Sequence, residues 1–236
     1  MTSNATATLL LTHLGLGDQI ICNAVIRAAV AAFGAVTLPV KASNVESISF
    51  MLRDLDGLTV MEVPDSFHRN GGEKGLLDIA RKWNGCVQNL TMFDRSSKDD
   101  RWVSDEETCF DTNFFRWAGL SIEEKFSGFR CDRDISIEIP VPDGPYVLMH
   151  DDDNFPIVRG SVTNSGLPVH HVHDFRIGNI FALWGIIENA AEIHMINSGP
   201  LNLTDFLEPK GRLFWHKYSR DEVSYPTLRH DWKILD

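Results

Sequence analysis

Residues 8–40, TLLLTHLGLGDQIICNAVIRAAVAAFGAVTLPV, decide the fold. Thr8–Thr12 is short, apolar and suited to a strand. His13-Leu14-Gly15-Leu16-Gly17-Asp18 reads as a turn. Ile20–Phe33 follows with a helical, Ala-rich pattern that stops at Gly34, and Ala35–Val40 reads as a second strand. Strand, glycine turn, helix and strand make a βαβ unit.

The alternation continues outward. Val45–Leu55 reads as a helix, Leu58–Val63 as a strand closed by Pro64, and Ser66–Lys74 as a loop. Gly75–Trp83 reads as a helix, Cys86–Leu90 as a strand, and the charged run Asp94–Arg101 as an exposed loop. Asp105–Ala118 reads as a helix whose acidic start suits the positive end of its dipole. Pro140, Pro142, Asp143, Gly144 and Pro145 form the strongest breaker cluster. The expected organisation is therefore an N-terminal domain, 1–130, a linker, 131–145, and a C-terminal domain, 146–236. In the second half, Tyr146–His150, Leu167–Val172, Glu192–Ile196 and Arg212–His216 read as strands. Arg176–Asn189 and Pro200–Leu207 read as helices, with Phe181 and Trp184 at core spacing. The polar stretch Asp221–Asp236 is free to pack back across the boundary. Such alternation predicts α/β architecture: two Rossmann-like domains with parallel sheets, facing a cleft.

Composition narrows the function classes. Of 236 residues, 22 are Lys or Arg and 33 are Asp or Glu, for a formal charge of −11. An acidic chain argues against general nucleic-acid binding, which needs a basic face. Cys22, Cys86, Cys109 and Cys131 lie far apart without a CxxC pair, as reduced core thiols do in an intracellular protein. The N-terminus lacks a basic n-region, so no signal peptide is expected. The longest apolar run, Ala24–Val40, is interrupted by Arg27, Gly34 and Pro39, so no transmembrane segment is expected and the reading is cytoplasmic.

Ligands of open α/β sheets bind at the carboxyl ends of strands, and three such positions stand out. The first is Gly15-Leu16-Gly17-Asp18. Asp18 suits a helix N-cap, accepting free amide protons. A dinucleotide fingerprint fails here, because Ile20 stands at the third glycine position and Lys41, not an acid, follows the second strand. An acid also sits where a pyrophosphate would lie, which better suits a hydroxyl-bearing ligand and a general base. The second position is Asn197-Ser198-Gly199-Pro200, between a strand and a helix. It reads as a helix cap, and equally as an anion site for a diphosphate, with Lys217 after the next strand.

The third position is His150-Asp151-Asp152-Asp153 with Arg159. Adjacent acids on an extended chain point alternately, so three do not share one ion, and His150 and Arg159 instead suit a phosphate or sugar. His171 and His173 share a strand face beside Asp174, but no partner cluster stands at ligand spacing. No metal site is expected. G-x-S-x-G and G-x-x-x-x-G-K-[ST] motifs are absent.

The segment Leu9–Arg27, LLLTHLGLGDQIICNAVIR, resembles the opening of GT-B glycosyltransferases of the heptosyltransferase type. The stretch ENAAEIHMINSGPLNLTDFL to LFWHKYSR resembles their donor-binding half. Fucosyltransferases sharing this architecture are similar. The resemblance implies that Asp18 is the catalytic base and that His13, Gly15, Gly17 and Gln19 lie on the acceptor side. It likewise implies that Asn197, Ser198 and Gly199 form the loop that holds the donor diphosphate, and His150, Arg159 and Lys217 are read as donor-side residues beside it. The implied activity is metal-independent, inverting transfer of a hexosyl or heptosyl group from a nucleotide-sugar to a glycan, glycolipid or other hydroxyl acceptor, without a cofactor. Two other classes stay open: an NAD(P)-dependent oxidoreductase, and a non-catalytic nucleotide- or carbohydrate-binding protein of the same fold.

Overall fold

A computed structural model describes residues 7–68, 74–91, 109–158, 162, 166–219 and 225–236. The chain divides into two compact units, Met1–Asp132 and Arg133–Asp236.

The first unit is organised by β1 (Thr8–Leu11), whose four residues are all buried. That is the pattern of a parallel strand covered on both faces. It lies between β2 (Val36–Lys41) and β4 (Val87–Asn89), with β3 (Leu58–Val63) beyond β2, and every pairing is parallel. Pro39 is tolerated inside β2 because the β1–β2 register covers only Thr8↔Val36 and Leu9↔Thr37, so its missing N–H falls beyond that ladder.

The connection after β1 differs from expectation. The helix begins four residues earlier than Ile20, as α1 (Leu16–Ile21), and α2 (Asn23–Phe33) continues it after a break at Cys22. α2 buries Ala24, Val25, Ile26 and Val30 and ends at Gly34, whose φ of 75° only glycine adopts easily. Further helices are α3 (Val45–Met51), α4 (Lys74–Lys82), α5 (Asp111–Ala118) and α6 (Glu124–Ser127). The charged run Asp94–Arg101 and the expected start of α5 at Asp105 lie outside the described residues. Two polar ties close the unit. Arg27 forks onto both oxygens of Asp54 at 2.8 and 2.9 Å, while Asn23 exchanges two 3.0 Å hydrogen bonds with the backbone of Arg130. Lys125 pairs with Asp111 at 2.7 Å with both side chains buried, so losing either partner would strand a charge in the core.

The second unit is a five-stranded parallel sheet ordered β6-β5-β7-β8-β9. Its strands are β5 (Val147–His150), β6 (Val169–His171), β7 (Glu192–Met195), β8 (Arg212–His216) and β9 (Lys233–Leu235). The C-terminal stretch thus adds an edge strand to this sheet. The expected helix Arg176–Asn189 is shorter. Arg176 takes a left-handed conformation, Asn179 caps a 3-10 turn over Ile180–Leu183, and α7 covers only Trp184–Asn189. Phe181 is buried and packs near Trp184, as the spacing implied. Residues 133–145 run along this unit: Arg133 bridges Glu138 and Glu188, and Ile139 donates to the Ala182 carbonyl at 3.0 Å. α8 (Gly199–Phe206) follows β7. Among the described residues, no helix is long and apolar enough to cross a membrane.

Candidate functional site

Both sheets reverse strand order at one point, and such points open a crevice at the carboxyl ends of the flanking strands. In the first unit the point lies between β1 and β4, so the chain leaving β1 forms its rim. His13 is nearly buried there, its ring 5.3 Å from that of Phe114, and Asn44 donates to the Leu14 carbonyl at 3.1 Å. Gly15 is the N-cap of α1, so Leu16, Gly17 and Asp18 form its first turn. Asp18 is therefore the third helical residue, not the cap. Gly15 has φ −63° and ψ 137°, a conformation open to any residue. A Cβ there would collide with the Asp18 carboxylate where it now lies, so a larger residue would displace it. The carboxylate thus folds back over the start of the helix, half-buried, at the positive end of the dipole. Gln19 is wholly buried and its amide donates to the Pro39 carbonyl at 3.0 Å, which spends the side chain on holding α1 to β2.

In the second unit the reversal lies between β5 and β7. Their carboxyl ends carry His150-Asp151 and Asn197-Ser198, next to Lys217 after β8. Ser198 is the N-cap of α8 by position, yet its hydroxyl donates to the Ile196 carbonyl at 3.0 Å and makes no cap bond. Pro200 sits in the first helical turn, as read from the sequence. Asn202 donates to the Ser198 carbonyl at 2.9 Å. Lys217 lies 3.5 Å from Asp236 and 4.3 Å from the Tyr225 ring centroid. Burial pushes His150 down to about 4, so its imidazole is neutral at pH 7, and its Nδ1 is buried without a hydrogen-bond partner. Arg159 lies outside the described residues.

The acidic run separates as the alternation argument requires. Asp152 caps its own turn, accepting from the amides of Asn154 and Phe155 at 2.8 and 3.0 Å, and Asp153 is exposed. Asp151 alone turns toward β6, where its Oδ1 lies 3.3 Å from His171 Nδ1. Strand pairing thus places Asp151 beside His171 and His173, a grouping that spacing along the chain did not offer.

A buried polar chain under this edge also escaped the sequence reading. His194 and His216 sit side by side on β7 and β8, wholly buried, with Nδ1 and Nε2 2.9 Å apart. Their partners dictate the tautomers. Glu192, held by Arg212, accepts from His194 Nε2 at 3.5 Å, so His194 Nδ1 accepts from His216 Nε2. His216 Nδ1 then accepts from the Tyr218 hydroxyl at 3.1 Å, and that oxygen accepts from the Val158 amide at 3.0 Å. Burial lowers both imidazoles, His216 to about 4, so both are neutral at pH 7. Two histidines, a glutamate and a tyrosine scattered over β-compatible runs gave no spacing signal for this chain of bonds.

No protein-family model matches the chain, and no curated protein matches it in sequence. Solved structures do. The crystal structure of a family 9 glycosyl transferase from Veillonella parvula superposes with a TM-score of 0.56 at 9% identity, covering 100% of this chain and 88% of that one. TibC, an iron-containing dodecameric glycosyltransferase of enterotoxigenic E. coli, superposes with a TM-score of 0.53 at 9% identity, covering 90% of this chain and 58% of that one. At this identity the likeness shows the fold: two parallel sheets with interspersed helices, the α/β arrangement of these glycosyltransferases.

Proposed function

We propose that the chain is a glycosyltransferase that moves a sugar from a nucleotide-sugar to a hydroxyl acceptor with inversion. One observation carries the reading: the Asp18 carboxylate lies over Gly15 at the rim of the first sheet, half-buried at a helix start, on a fold shared with glycosyltransferases. A negative charge at that place repels a pyrophosphate, which speaks against a dinucleotide-dependent oxidoreductase. It favours a hydroxyl, whose proton a carboxylate can take.

In the proposed step the acceptor hydroxyl gives its proton to Asp18 while its oxygen bonds to the anomeric carbon. The bond from that carbon to the diphosphate oxygen breaks on the opposite face, and the nucleoside diphosphate leaves with the electron pair. Within the second unit, the amide of Gly199 and the dipole of α8 suit a diphosphate, since Ser198 makes no cap bond of its own there. Lys217 adds a positive charge at the same sheet edge. Neutral His150 offers a hydrogen-bonding ring without charge. The chemistry of bond exchange rests on these groups alone, without a metal or cofactor. A hexosyl or heptosyl donor fits the resemblance of the opening segment to heptosyltransferases.

A thermal-shift screen against ADP-, GDP-, UDP- and CMP-sugars tests the donor class. A donor at one hundred times its dissociation constant should stabilise by about 2.7 kcal/mol. Stabilisation by NAD(P) and none by any nucleotide-sugar would contradict the reading.

A further inference from the structure

We infer that Asp151, His171 and His173 form a binding site for one borderline divalent transition ion, with zinc as its reference ligand. The inference does not depend on the proposed transfer reaction. Among the described residues, each of the three offers a ligand atom, and these atoms all lie within 4.8 Å of one another.

Backbone geometry brings them together. β5 and β6 are parallel neighbours with Met149 opposite His171, so both strands end at the same edge of the sheet. Asp151 leaves β5 two residues after Met149. His171 closes β6, and His173 stands in the 3-10 turn Val172–Phe175 that follows. The intervening Val172 is buried, which leaves both histidines on the open side. Their rings lie 4.9 Å apart and Asp151 Oδ1 is 3.3 Å from His171 Nδ1. Zinc–nitrogen bonds of about 2.0–2.1 Å in a tetrahedron put ligand atoms roughly 3.3 Å apart, within reach of small rotations of these side chains.

The donor set selects the ion. Two imidazole nitrogens and one carboxylate oxygen suit zinc and its neighbours, whereas magnesium and calcium take oxygen ligands. His173 Nε2 lies 3.6 Å from Asp174 Oδ1, so a carboxylate stands ready to orient a ligand imidazole from behind. Three protein ligands leave a coordination position for water. The ion would tie the segment after β5 to the segment after β6, two loops that no covalent link joins.

Equilibrium dialysis and isothermal titration of the full chain with Zn²⁺ test the site, with Co²⁺ as a spectroscopic reporter and Mg²⁺ as a control. The expected result is one Zn²⁺ per chain, visible Co²⁺ d–d bands, and no Mg²⁺ uptake. His173→Ala removes a side chain that is 58% exposed, so the fold should persist. Affinity for Zn²⁺ should fall at least ~10–100-fold in that variant and in Asp151→Asn, as loss of even an outer-shell partner costs that much. Cys86→Ser should leave binding unchanged. No Zn²⁺ uptake by the wild-type chain, uptake unaffected by His173→Ala, or uptake abolished by Cys86→Ser would each overturn the inference.

Discussion

The carboxylate of Asp18 occupies the space that a side chain on residue 15 would need: a Cβ on Gly15 would collide with Asp18 Oδ2 and approach Cγ to 3.3 Å. The glycine therefore leaves room for the acid by lacking a side chain, not by bending the chain, since its φ and ψ are ordinary. Gly15→Ala should fold with unchanged far-UV circular dichroism but push the carboxylate aside. A displacement of about 1 Å can lower turnover by about 10²-fold. Wild-type turnover in Gly15→Ala would detach the position of Asp18 from catalysis.

The start of α8 permits a test in which folding and binding move apart. Gly199 is the first residue of the helix, where an added carboxylate is favourable to the dipole. The same carboxylate would repel a diphosphate strongly in a partly desolvated site. Gly199→Asp should melt at or near the wild-type temperature and lose its thermal shift with nucleotide-sugar. Ser198→Ala should be milder. Its hydroxyl is engaged by Ile196, so donor binding should weaken by no more than about 1 kcal/mol, the net worth of one hydrogen bond. Retained donor affinity in folded Gly199→Asp would place the diphosphate elsewhere.

Acid should destabilise the second unit through its buried histidines. His194 and His216 are packed with Glu192, Arg212, Tyr218 and the field of Asp151. Burial holds both below the ordinary 6.5, His216 at about 4. The unfolded chain regains 6.5, so below that pH it binds protons that the fold excludes. The stability is intact above about pH 6.5 and is lost as pH falls toward 4, by roughly 3 kcal/mol for His216. Urea melts across that window should show the decline, and His216→Gln should flatten it. An equally steep decline in His216→Gln would point to other groups.

Thiol chemistry should sort by burial. Burial, and then the charges of Asp18 and Asp111, push the Cys22 thiol well above its ordinary value, and burial pushes Cys131 up to about 12. Neither forms the reactive thiolate near neutral pH. Cys86 is exposed. Alkylation at pH 8 followed by peptide mapping should label Cys86 first and Cys22 only on unfolding. Labelling of Cys22 at the rate of Cys86 in the folded protein would contradict this packing.

Hydrophobic runs bounded by turns were the most legible features. Leu58–Val63 and Arg212–His216 form strands over the expected residues because short β-compatible runs and flanking breakers, Gly57, Pro64 and Gly211, agree there. The helix start was less legible. Gly15 and Gly17 read as turn residues, yet Gly15 is the N-cap and Gly17 lies inside α1, since one glycine weakens a helix without forbidding it. The helix read over Arg176–Asn189 starts only at Trp184, after Arg176 takes φ 48° and Ile180–Leu183 form a 3-10 turn. Asp18 could be singled out because its neighbours in sequence are its neighbours in space. Asp151 and His171 are 20 residues apart, and His194 and His216 are 22 apart. Only strand pairing joins them, and no local pattern encodes it.

Turnover of Asp18→Asn, measured with a donor identified by thermal shift, decides whether this carboxylate is the base. Asn keeps the size of the side chain and a hydrogen-bonding tip at the start of α1 but takes no proton from the acceptor. The expected result is an unchanged melting temperature, an unchanged thermal shift with the donor, and a fall in transfer rate of roughly 10²–10⁴-fold. A folded Asp18→Asn protein that transfers sugar at the wild-type rate would contradict it.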